Sequence, residues 1–428
     1  MGAVSLVRLS GAGVFEVAER ILRRLSAQSV QPRLACRDDV VAQDGSSIDD
    51  VLVTCYQNPS SYTGEDVVEI SGHGGIHVTR RVLERCLECG ARLAEAGEFS
   101  LRAFLNSKLD LTQAEAVMDL ITAQTDLAAR AAREQLSGSL GDAVSEAREE
   151  IINLTAHVEA YIDFPEEDIA PETGAELEAS FQKLEEALAS LLGTAKRGRL
   201  LREGARVAIV GAPNAGKSSL LNAFLGYERA IVSEEAGTTR DTVEEVLDFD
   251  GYPVRLIDTA GLRDEGSEIE KEGMARARQR MEDADLVIEL VDASAPRVER
   301  LVPDAFLVLN KVDLGEDAGW EGVEVLRISV KEERGLELLR KEVAACLGDG
   351  SGEHSGGALI AINARHQDCL RRAESALAEA REMLSSGEEP EFVSLPLREA
   401  LHAVGEVAGR IDTDEILGSI FSQFCIGK

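Results

Sequence analysis

The stretch Gly211-Ala212-Pro213-Asn214-Ala215-Gly216-Lys217-Ser218 decides the fold of the central part of this 428-residue chain. It fits the pattern G-x-x-x-x-G-K-[ST], and it lies between the apolar run Val207 to Val210 and a helix-like stretch, Lys217 to Leu225. A buried strand that ends in a Gly-rich loop at a helix N-terminus lets backbone N–H groups surround a phosphate. Lys217 would reach the β- and γ-phosphate oxygens, and the Ser218 hydroxyl would ligate Mg²⁺.

The sequence on the C-terminal side of this loop alternates between strand-like and helix-like stretches. Similar, mostly apolar runs recur at residues 254–257, 286–291 and 306–309, as expected for buried parallel strands. This alternation over roughly 140 residues predicts a doubly wound α/β domain, which we place at residues 204–350.

Three further motifs follow the Gly-rich loop, and the first two lie at the ends of predicted strands. Asp258-Thr259-Ala260-Gly261 would place a carboxylate near the metal and the Gly261 N–H near the γ-phosphate. In Asn310-Lys311-Val312-Asp313, the Asp313 carboxylate can accept from guanine N1–H and the 2-amino group, donors that adenine lacks. Ser329-Val330-Lys331 lies where a guanine-base loop more often reads Ser-Ala-Lys. The order of these motifs predicts a GTPase domain.

The residue that positions the attacking water is not fixed by these motifs. Leu262 follows the Asp-Thr-Ala-Gly motif, and an aliphatic side chain cannot hydrogen-bond to water. Candidate acids lie downstream, at Glu265, Glu268 and Glu270. Asn214 offers a neutral oxygen to a monovalent cation beside the phosphates, and an Asn that stabilises its own turn is an equally favoured interpretation. Either threonine of Ala236 to Asp241 would supply a metal-ligating hydroxyl once that loop orders around nucleotide.

Composition excludes several classes of protein. Lys and Arg number 45 and Asp and Glu number 78, which gives a formal net charge of −33, while 44% of the residues are hydrophobic. Such a chain can bury cores, but it cannot hold RNA by its bulk charge, so a local patch or a basic partner is expected. No apolar run approaches the ~18–20 residues of a membrane span, and we expect a cytoplasmic protein without a membrane partner.

The seven cysteines are odd in number and scattered, which favours free thiols in a reducing compartment. Cys86 and Cys89 form one C-x-x-C without a second pair, so two small buried side chains are favoured over a zinc site. Cys425 is fourth from the end, but Gly427 and Lys428 do not fit a prenylation box.

The N-terminal flank has α+β character. Residues 51–53 and 67–70 are predicted strands, Gly72 to Gly75 a tight turn, and Val78 to Cys89 a helix.

The sequence between this region and the α/β domain, and the sequence after that domain, are predicted to be helical. Thr112 and Glu115 have the spacing of a capping box that opens a long helical stretch towards Leu136. One apolar stripe, which indicates bundle packing, consists of Leu177, Phe181, Leu184, Leu188 and Leu191. Residues 349–357 are linker-like, and a second stripe follows at Leu370, Ala373, Leu377, Ala380 and Leu384.

The motifs within 213–222, 237–241 and 258–263 resemble those of the TrmE-Era-EngA-like bacterial GTPases. The flanks are similar to the MnmE family of GTPases that modify the wobble uridine of tRNA. The segments that carry this resemblance are 61–66, 97–99, 102–106, 108–116, 164–168, 363–366 and the terminal Phe424-Cys425-Ile426-Gly427-Lys428.

The resemblance implies a multidomain α+β and α/β fold. Residues 1–106 would form a tetrahydrofolate-binding and dimerisation domain, and residues 107–203 and 351–428 a helical domain. The P-loop GTPase α/β domain, residues 204–350, would be inserted into the helical domain. The implied function is K⁺-stimulated GTP hydrolysis in a homodimer that acts with the FAD-dependent partner MnmG. Together they would install an aminomethyl-type (carboxymethylaminomethyl) group on C5 of the wobble uridine of certain tRNAs, with carbon from 5-formyl- or methylene-tetrahydrofolate.

The resemblance also implies site residues. Lys217 and Glu270 would be catalytic, with Glu270 positioning the water. Mg²⁺ would be held by Ser218 and Thr239, and K⁺ by Asn214, Ser233, Glu235 and Thr238. The GTP-binding set would be Gly211, Asn214, Ala215, Gly216, Lys217, Ser218, Ser219, Thr238, Thr239, Asp258, Gly261, Asn310, Lys311, Asp313, Ser329 and Lys331. The folate would contact Arg8, Glu69, Lys108 and Lys428.

Cys425 would either act as a thiol near the folate or pack in the protein.

The chain departs from the family pattern at three places. The chain starts inside the first family segment, at Arg8 to Gly11, so we expect either a start codon assigned too late or a missing first strand. Ala96 replaces a Pro and Ser107 a Gly, which should reduce local backbone rigidity.

The rival hypothesis is a regulatory or ribosome-assembly GTPase of the Era type, which would not need a folate site.

Overall fold

The computed structural model describes residues 2–163, 172–227, 246–258, 283–348, 359–386, 390–409, 414–422, 424 and 427. The chain divides into two compact units. One comprises residues 1–118 with 405–428, and the other comprises residues 119–404. The predicted linker at 349–357 lies outside the described residues.

The first unit contains an antiparallel sheet in the strand order β1-β4-β3-β2. Its strands are β1 (Val4–Ser10), β2 (Ala35–Val41), β3 (Ser47–Tyr56) and β4 (Val67–His73). Two helices, α1 (Val14–Ile21) and α2 (Ile76–Glu88), pack against the sheet and share its apolar core. The predicted strands at 51–53 and 67–70 and the predicted helix are confirmed.

The predicted turn at Gly72 to Gly75 is partly wrong, because Gly72 and His73 belong to β4. Asp49 of β3 accepts a hydrogen bond from the His73 N–H at 2.8 Å. A Cβ atom at residue 72 would lie 2.4 Å from Asp49 Oδ2, so the glycine allows this carboxylate to reach the strand. The chain leaves the sheet only at Gly74 and Gly75.

The predicted capping box at Thr112 and Glu115 is wrong, and the predicted helical stretch towards Leu136 consists of two helices. Asp110 caps the helix instead, since its Oδ1 accepts from the Gln113 N–H at 2.8 Å and its own N–H donates to Gln113 Oε1 at 3.0 Å. Thr112 and Glu115 are buried inside α4 (Leu111–Thr122). A second helix, α5 (Asp126–Leu136), then starts from Thr125, whose side chain accepts from the Ala128 N–H.

The second unit contains a helical bundle. Its helices include α6 (Ser139–Asp163), α7 (Glu172–Gly193), α8 (Ala195–Glu203) and α11 (Ala364–Ser386), and α12 (Pro390–Val407) continues the chain. Every residue of the predicted stripe on α7 is buried, and α7 packs against α6 and α11. In the stripe on α11, Leu384 alone is only half-buried. Arg381 of α11 pairs with Glu178 and Glu185 of α7. Helices α3 (Glu98–Leu105) and α13 (Asp414–Ser422) belong to the first unit.

The second unit also contains the predicted α/β sheet, in the order β10-β9-β8-β5-β7-β6. All neighbouring strands are parallel except β6 and β7. The strands are β5 (Ala205–Val210), β6 (Val246–Phe249), β7 (Tyr252–Asp258), β8 (Leu286–Asp292), β9 (Phe306–Asn310) and β10 (Leu326–Arg327), and the flanking helices are α9 (Lys217–Tyr227) and α10 (Leu336–Leu347). The four predicted strands are confirmed, and β6 and β10 were not predicted.

Among the described residues, no helix is long and apolar enough to cross a membrane.

Candidate functional site

The Gly-rich loop follows β5 and leads directly into α9. Gly211 has φ +153°, and a Cβ atom there would lie 2.2 Å from the Leu290 carbonyl oxygen. Gly216 has φ +103°, and a Cβ atom there would lie 2.3 Å from Asn310 Nδ2. Both positions therefore require glycine, because the loop passes close to the ends of β8 and β9.

The charges of this loop favour an anionic ligand. Lys217 Nζ donates to the carbonyl oxygens of Gly211 and Ala212, at 2.8 and 3.0 Å, so the ammonium lies along the loop. Ser218 and Ser219 are exposed in the first turn of α9, where free N–H groups and the helix dipole add positive potential. Asn214 is exposed and has φ +64°, as an Asn in a tight turn can adopt.

Asn310 joins this loop to the predicted base-binding loops. Its side chain is almost fully buried, with Nδ2 donating to the Ala215 carbonyl at 2.9 Å and Oδ1 accepting from the Val330 N–H at 3.1 Å. One amide thus ties together three segments that are far apart in the sequence. Lys311, next to it, has φ +65° and pairs through Nζ with Asp292 Oδ2 at 2.7 Å. Burial opposes ionisation of Asp292, but hydrogen bonds from Lys311 and Ser294 outweigh it and lower the pKa of that carboxyl.

The Asp313 carboxylate is held by Ser329. The Ser329 hydroxyl is fully buried and donates to Asp313 Oδ1 at 2.6 Å, while its oxygen accepts from the Glu332 N–H. This bond gives Ser329 a role that the motif did not reveal, which is to orient the predicted guanine acceptor. Lys331 is exposed at the start of the same loop.

Asp258 is the last residue of β7, and its backbone is in register with Ile209 of β5. The parallel strands β5, β7, β8 and β9 therefore all end at the edge that carries the Gly-rich loop. Six of the predicted GTP and metal residues, Ser233, Glu235, Thr238, Thr239, Gly261 and Glu270, lie outside the described residues.

Two of the predicted folate residues meet in the first unit. Arg8 of β1 lies opposite Glu69 of β4, and its Nε and Nη2 approach Glu69 Oε1 at 2.9 and 2.8 Å. The Arg8 guanidinium is 5.3 Å from the centre of the Tyr62 ring and 5.5 Å from that of Phe99. Tyr56 donates to the other oxygen of Glu69 at 3.3 Å, and burial together with this carboxylate raises the pKa of Tyr56.

A cavity of about 470 Å³ lies beside β1 and is lined by Arg8, Phe99 and Gly427, the residue before Lys428. Lys108 is exposed and does not line it, but its side-chain stem packs near Gly64, where a Cβ atom would lie 3.1 Å from Lys108 Cγ. The predicted residues Cys425 and Lys428 lie outside the described residues.

Arg102 also lines this cavity, and sequence reasoning assigned it no role. It donates to Glu65 Oε2 at 2.9 Å and to Glu98 Oε1 at 2.6 Å. Glu98 also pairs with Arg92, and the Arg92 guanidinium is the main cause that lowers the pKa of Glu98 to about 2. Glu65, Glu98 and Arg102 lie in segments that carry the family resemblance, but those segments do not indicate that the three side chains pair.

The C-x-x-C cysteines are buried in the core of the first unit, as predicted. Cys86 is fully buried and Cys89 is nearly so, and burial raises the pKa of the Cys86 thiol to about 12. Among the residues that the structure describes, no group of three or more His, Cys, Asp or Glu side chains is arranged to hold a metal ion.

A mostly parallel sheet whose strand ends carry a Gly-rich phosphate loop and an Asn-Lys-x-Asp loop defines a P-loop GTPase domain. A model described as the MnmE helical domain matches residues 111–425, and one described as the GTP-binding protein TrmE N-terminus matches residues 1–108. The chain belongs to the MnmE family.

Curated relatives match along the whole chain. A tRNA modification GTPase MnmE of Akkermansia muciniphila is 48% identical over 100% of this chain and 96% of its own. The protein of the same name from Aquifex aeolicus is 42% identical over 100% of this chain and 97% of its own. Among solved structures, the G domain of the T. maritima FeoB iron transporter covers 33% of this chain and 98% of its own, with 28% identity and a TM-score of 0.25, too low to bear on function.

Proposed function

We propose that this GTPase couples K⁺-stimulated GTP hydrolysis to the modification of C5 of the wobble uridine in tRNA. The observation that carries the nucleotide part is the buried Asn310 amide, which fixes the phosphate loop and the base loop to each other. The named activity of the relatives supports the tRNA part.

In this proposal the described residues bind and orient the nucleotide. Lys217 would turn from its own loop carbonyls to the β- and γ-phosphate oxygens, and the N-terminus of α9 would bind the β-phosphate. Ser218 with Thr239 would hold Mg²⁺, and Asn214 with Ser233, Glu235 and Thr238 would hold K⁺. These cations supply positive charge for the γ-phosphoryl oxygens during transfer. Glu270 would orient the water.

Selection of guanine is the sharpest test of the nucleotide site. In Asp313→Asn an amide replaces the carboxylate, so the 2-amino group loses its acceptor and N1–H no longer bonds to a charged oxygen, where each bond to the charged acceptor is worth roughly 1.5–3 kcal/mol. GTP affinity should therefore fall by about 10²–10⁴-fold, and xanthosine triphosphate, which lacks the 2-amino donor, should bind better than GTP. Unchanged GTP binding by this variant would mean that the guanine base does not bind at Asp313. Asp317→Asn is the matched control, because the Asp317 side chain accepts from the Gly319 N–H in the next turn and an amide oxygen can still do so.

The K⁺ site is tested by changing the salt. GTP turnover should be higher in K⁺ than in Na⁺ at equal ionic strength, and Asn214→Ala should remove the difference while GTP still binds. Equal rates of the unaltered protein in both salts would remove Asn214 from the K⁺ set.

The first unit is proposed to bind a tetrahydrofolate derivative. Arg8 and Lys108, with Lys428, would meet its carboxylate and carbonyl oxygens, and Glu69 would accept from the pterin N–H donors. Arg8→Gln should weaken folate binding to the full chain, whereas Arg80→Gln, an exposed residue paired with Glu84, should not. An equal loss of folate binding in both variants would mean that folate responds to the overall positive charge rather than to a specific site that contains Arg8.

The proposal includes a homodimer and an FAD-dependent partner, MnmG, in the cytoplasm. The partner would supply part of the tRNA-binding surface, because the chain has a formal net charge of −33. Nucleoside analysis of tRNA from a deletion strain should show loss of the wobble modification. An unchanged profile would favour the regulatory GTPase of the Era type.

A further inference from the structure

The turn between β6 and β7 touches the start of helix α5. Thr125 is 7% exposed, and its hydroxyl donates to the Gly251 carbonyl at 2.6 Å while accepting from the Ala128 N–H at 3.2 Å. Gly251 has φ +95°, and a Cβ atom there would lie 2.8 Å from Leu127 Cβ. A single buried hydroxyl therefore both caps α5 and holds the tip of the hairpin against it.

Apolar packing strengthens this joint. Ala128 and Ala131 of α5 belong to the same buried cluster as Val207 and Val254 of the sheet. Arg202 of α8 makes a two-pronged ion pair with Asp119 near the end of α4, at 2.6 and 2.7 Å, and so links these two helices. The hairpin and α5 are thus held to each other by both polar and apolar contacts.

The other end of the hairpin leads to the candidate nucleotide site. Strand β7 extends from Tyr252 to Asp258, about 20 Å at a rise near 3.3 Å per residue. Its register with β5 runs without a break from Ala205↔Val254 to Ile209↔Asp258. In the sequence, β6 follows the segment that contains Thr238 and Thr239. One hairpin therefore connects both nucleotide-sensing segments of the proposed function to α5.

We propose that Thr125 is a positioning residue that transmits the nucleotide state from the β6–β7 hairpin to helix α5. The inference rests on the proposed GTP site. A paired strand is stiff along its axis, so a shift at the Asp258 end changes the fit of Gly251 against Thr125. Helix α5 responds because the same hydroxyl caps its first turn.

Hydrogen exchange of the full chain, with GDP or with a non-hydrolysable GTP analogue and Mg²⁺, tests the inference. Exchange in residues 126–136 should differ between the two nucleotides in the unaltered protein. Thr125→Ser keeps the donor and the cap, so the difference should remain. Thr125→Asp keeps a capping acceptor but has no donor for the Gly251 carbonyl, so the difference should be lost.

A second readout separates transmission from a purely structural cap. By thermodynamic reciprocity, Thr125→Asp should also change the ratio of the affinities for the analogue and for GDP, whereas Thr125→Ser should not. No nucleotide-dependent exchange in residues 126–136 of the unaltered protein would overturn the inference, and this arm needs no variant. The inference would also be overturned if the difference in exchange between the two nucleotides persisted in Thr125→Asp. If the unaltered protein binds neither nucleotide, the proposed function itself fails.

Discussion

Removing the Asn310 side chain should loosen the base loop and weaken GTP binding together. Asn310→Ala leaves the buried Ala215 carbonyl and the part-buried Val330 N–H without this partner, and each orphaned group costs about 1–3 kcal/mol. Because 1.4 kcal/mol corresponds to a factor of ten, the Val330 amide should exchange about 5- to 150-fold faster. The loss at Ala215 should appear separately, as weaker GTP binding.

Hydrogen exchange of the full chain and a GTP titration measure these two effects. Asn310→Asp is the matched control, since a carboxylate still accepts from the Val330 N–H but cannot donate to the Ala215 carbonyl. We expect the Val330 amide to stay protected in Asn310→Asp while GTP affinity falls in both variants. Exchange at the unaltered rate in Asn310→Ala, with GTP affinity retained, would refute the view that this amide joins the two loops.

Three further predictions concern stability and reactivity. Phe181→Ala, at a fully buried bundle position, should cost about 3–5 kcal/mol in urea unfolding, whereas the exposed Gln182→Ala should cost less than about 0.5 kcal/mol. Because the folded-state pKa of Glu98 is lowered from 4.5 to about 2, its stabilising effect is present above pH 4.5 and is lost as the pH falls towards 2. The difference in urea midpoint between the unaltered protein and Glu98→Gln should shrink over that range; a constant difference would contradict it. A thiol reagent at pH 8 should label exposed Cys36 well before buried Cys86, whose pKa is about 12. Mass spectrometry of the labelled peptides measures the order, and earlier labelling of Cys86 would contradict this prediction.

The strands that were predicted correctly carry their signal locally. Each of the four predicted runs is mostly apolar, with Arg255 and Glu289 as the charged interruptions, because parallel strands are buried on both faces. Strand β6 has only four residues and a half-buried alternation, Val246-Leu247-Asp248-Phe249, and β10 has two residues. Such short edge strands form through their neighbours, so the sequence alone did not reveal them.

The helix start at Asp110 shows how two patterns can compete. Both Asp110 with Gln113 and Thr112 with Glu115 have capping-box spacing. Leu111 is 2% exposed, so its burial favours a helix that starts at Leu111, one residue before Thr112, and Thr112 and Glu115 then lie inside the helix. Tertiary packing thus decided between two local signals of similar quality.

The motifs predicted which residues gather at the GTP site but not the bonds between them. Asn310 and Ala215 are 95 positions apart, and Thr125 and Gly251 are 126 apart. Arg8 and Glu69 were both assigned to folate, yet only the register of β1 and β4 shows that they pair. Long-range pairing follows from topology, for which these short motifs carry no signal.

The point where the chain enters and leaves the α/β part offers a last test of this packing. Gly198 lies inside α8, and a Cβ atom there would lie 2.3 Å from the Ile362 carbonyl oxygen on the returning segment. Arg197 donates to the Ile360 carbonyl at 3.3 Å, so the two connections run side by side.

In an open helix, Gly→Ala stabilises by about 0.5–1 kcal/mol, because Ala loses less backbone entropy on folding. Gly193→Ala, at an exposed helical position with no atom within 4 Å of the new Cβ, should follow this rule. Gly198→Ala should instead destabilise by about 1–3 kcal/mol, since its Cβ would overlap a backbone carbonyl. Urea unfolding of the two variants compares them directly. Equal stabilisation by both would mean that the two connections are not closely packed at Gly198.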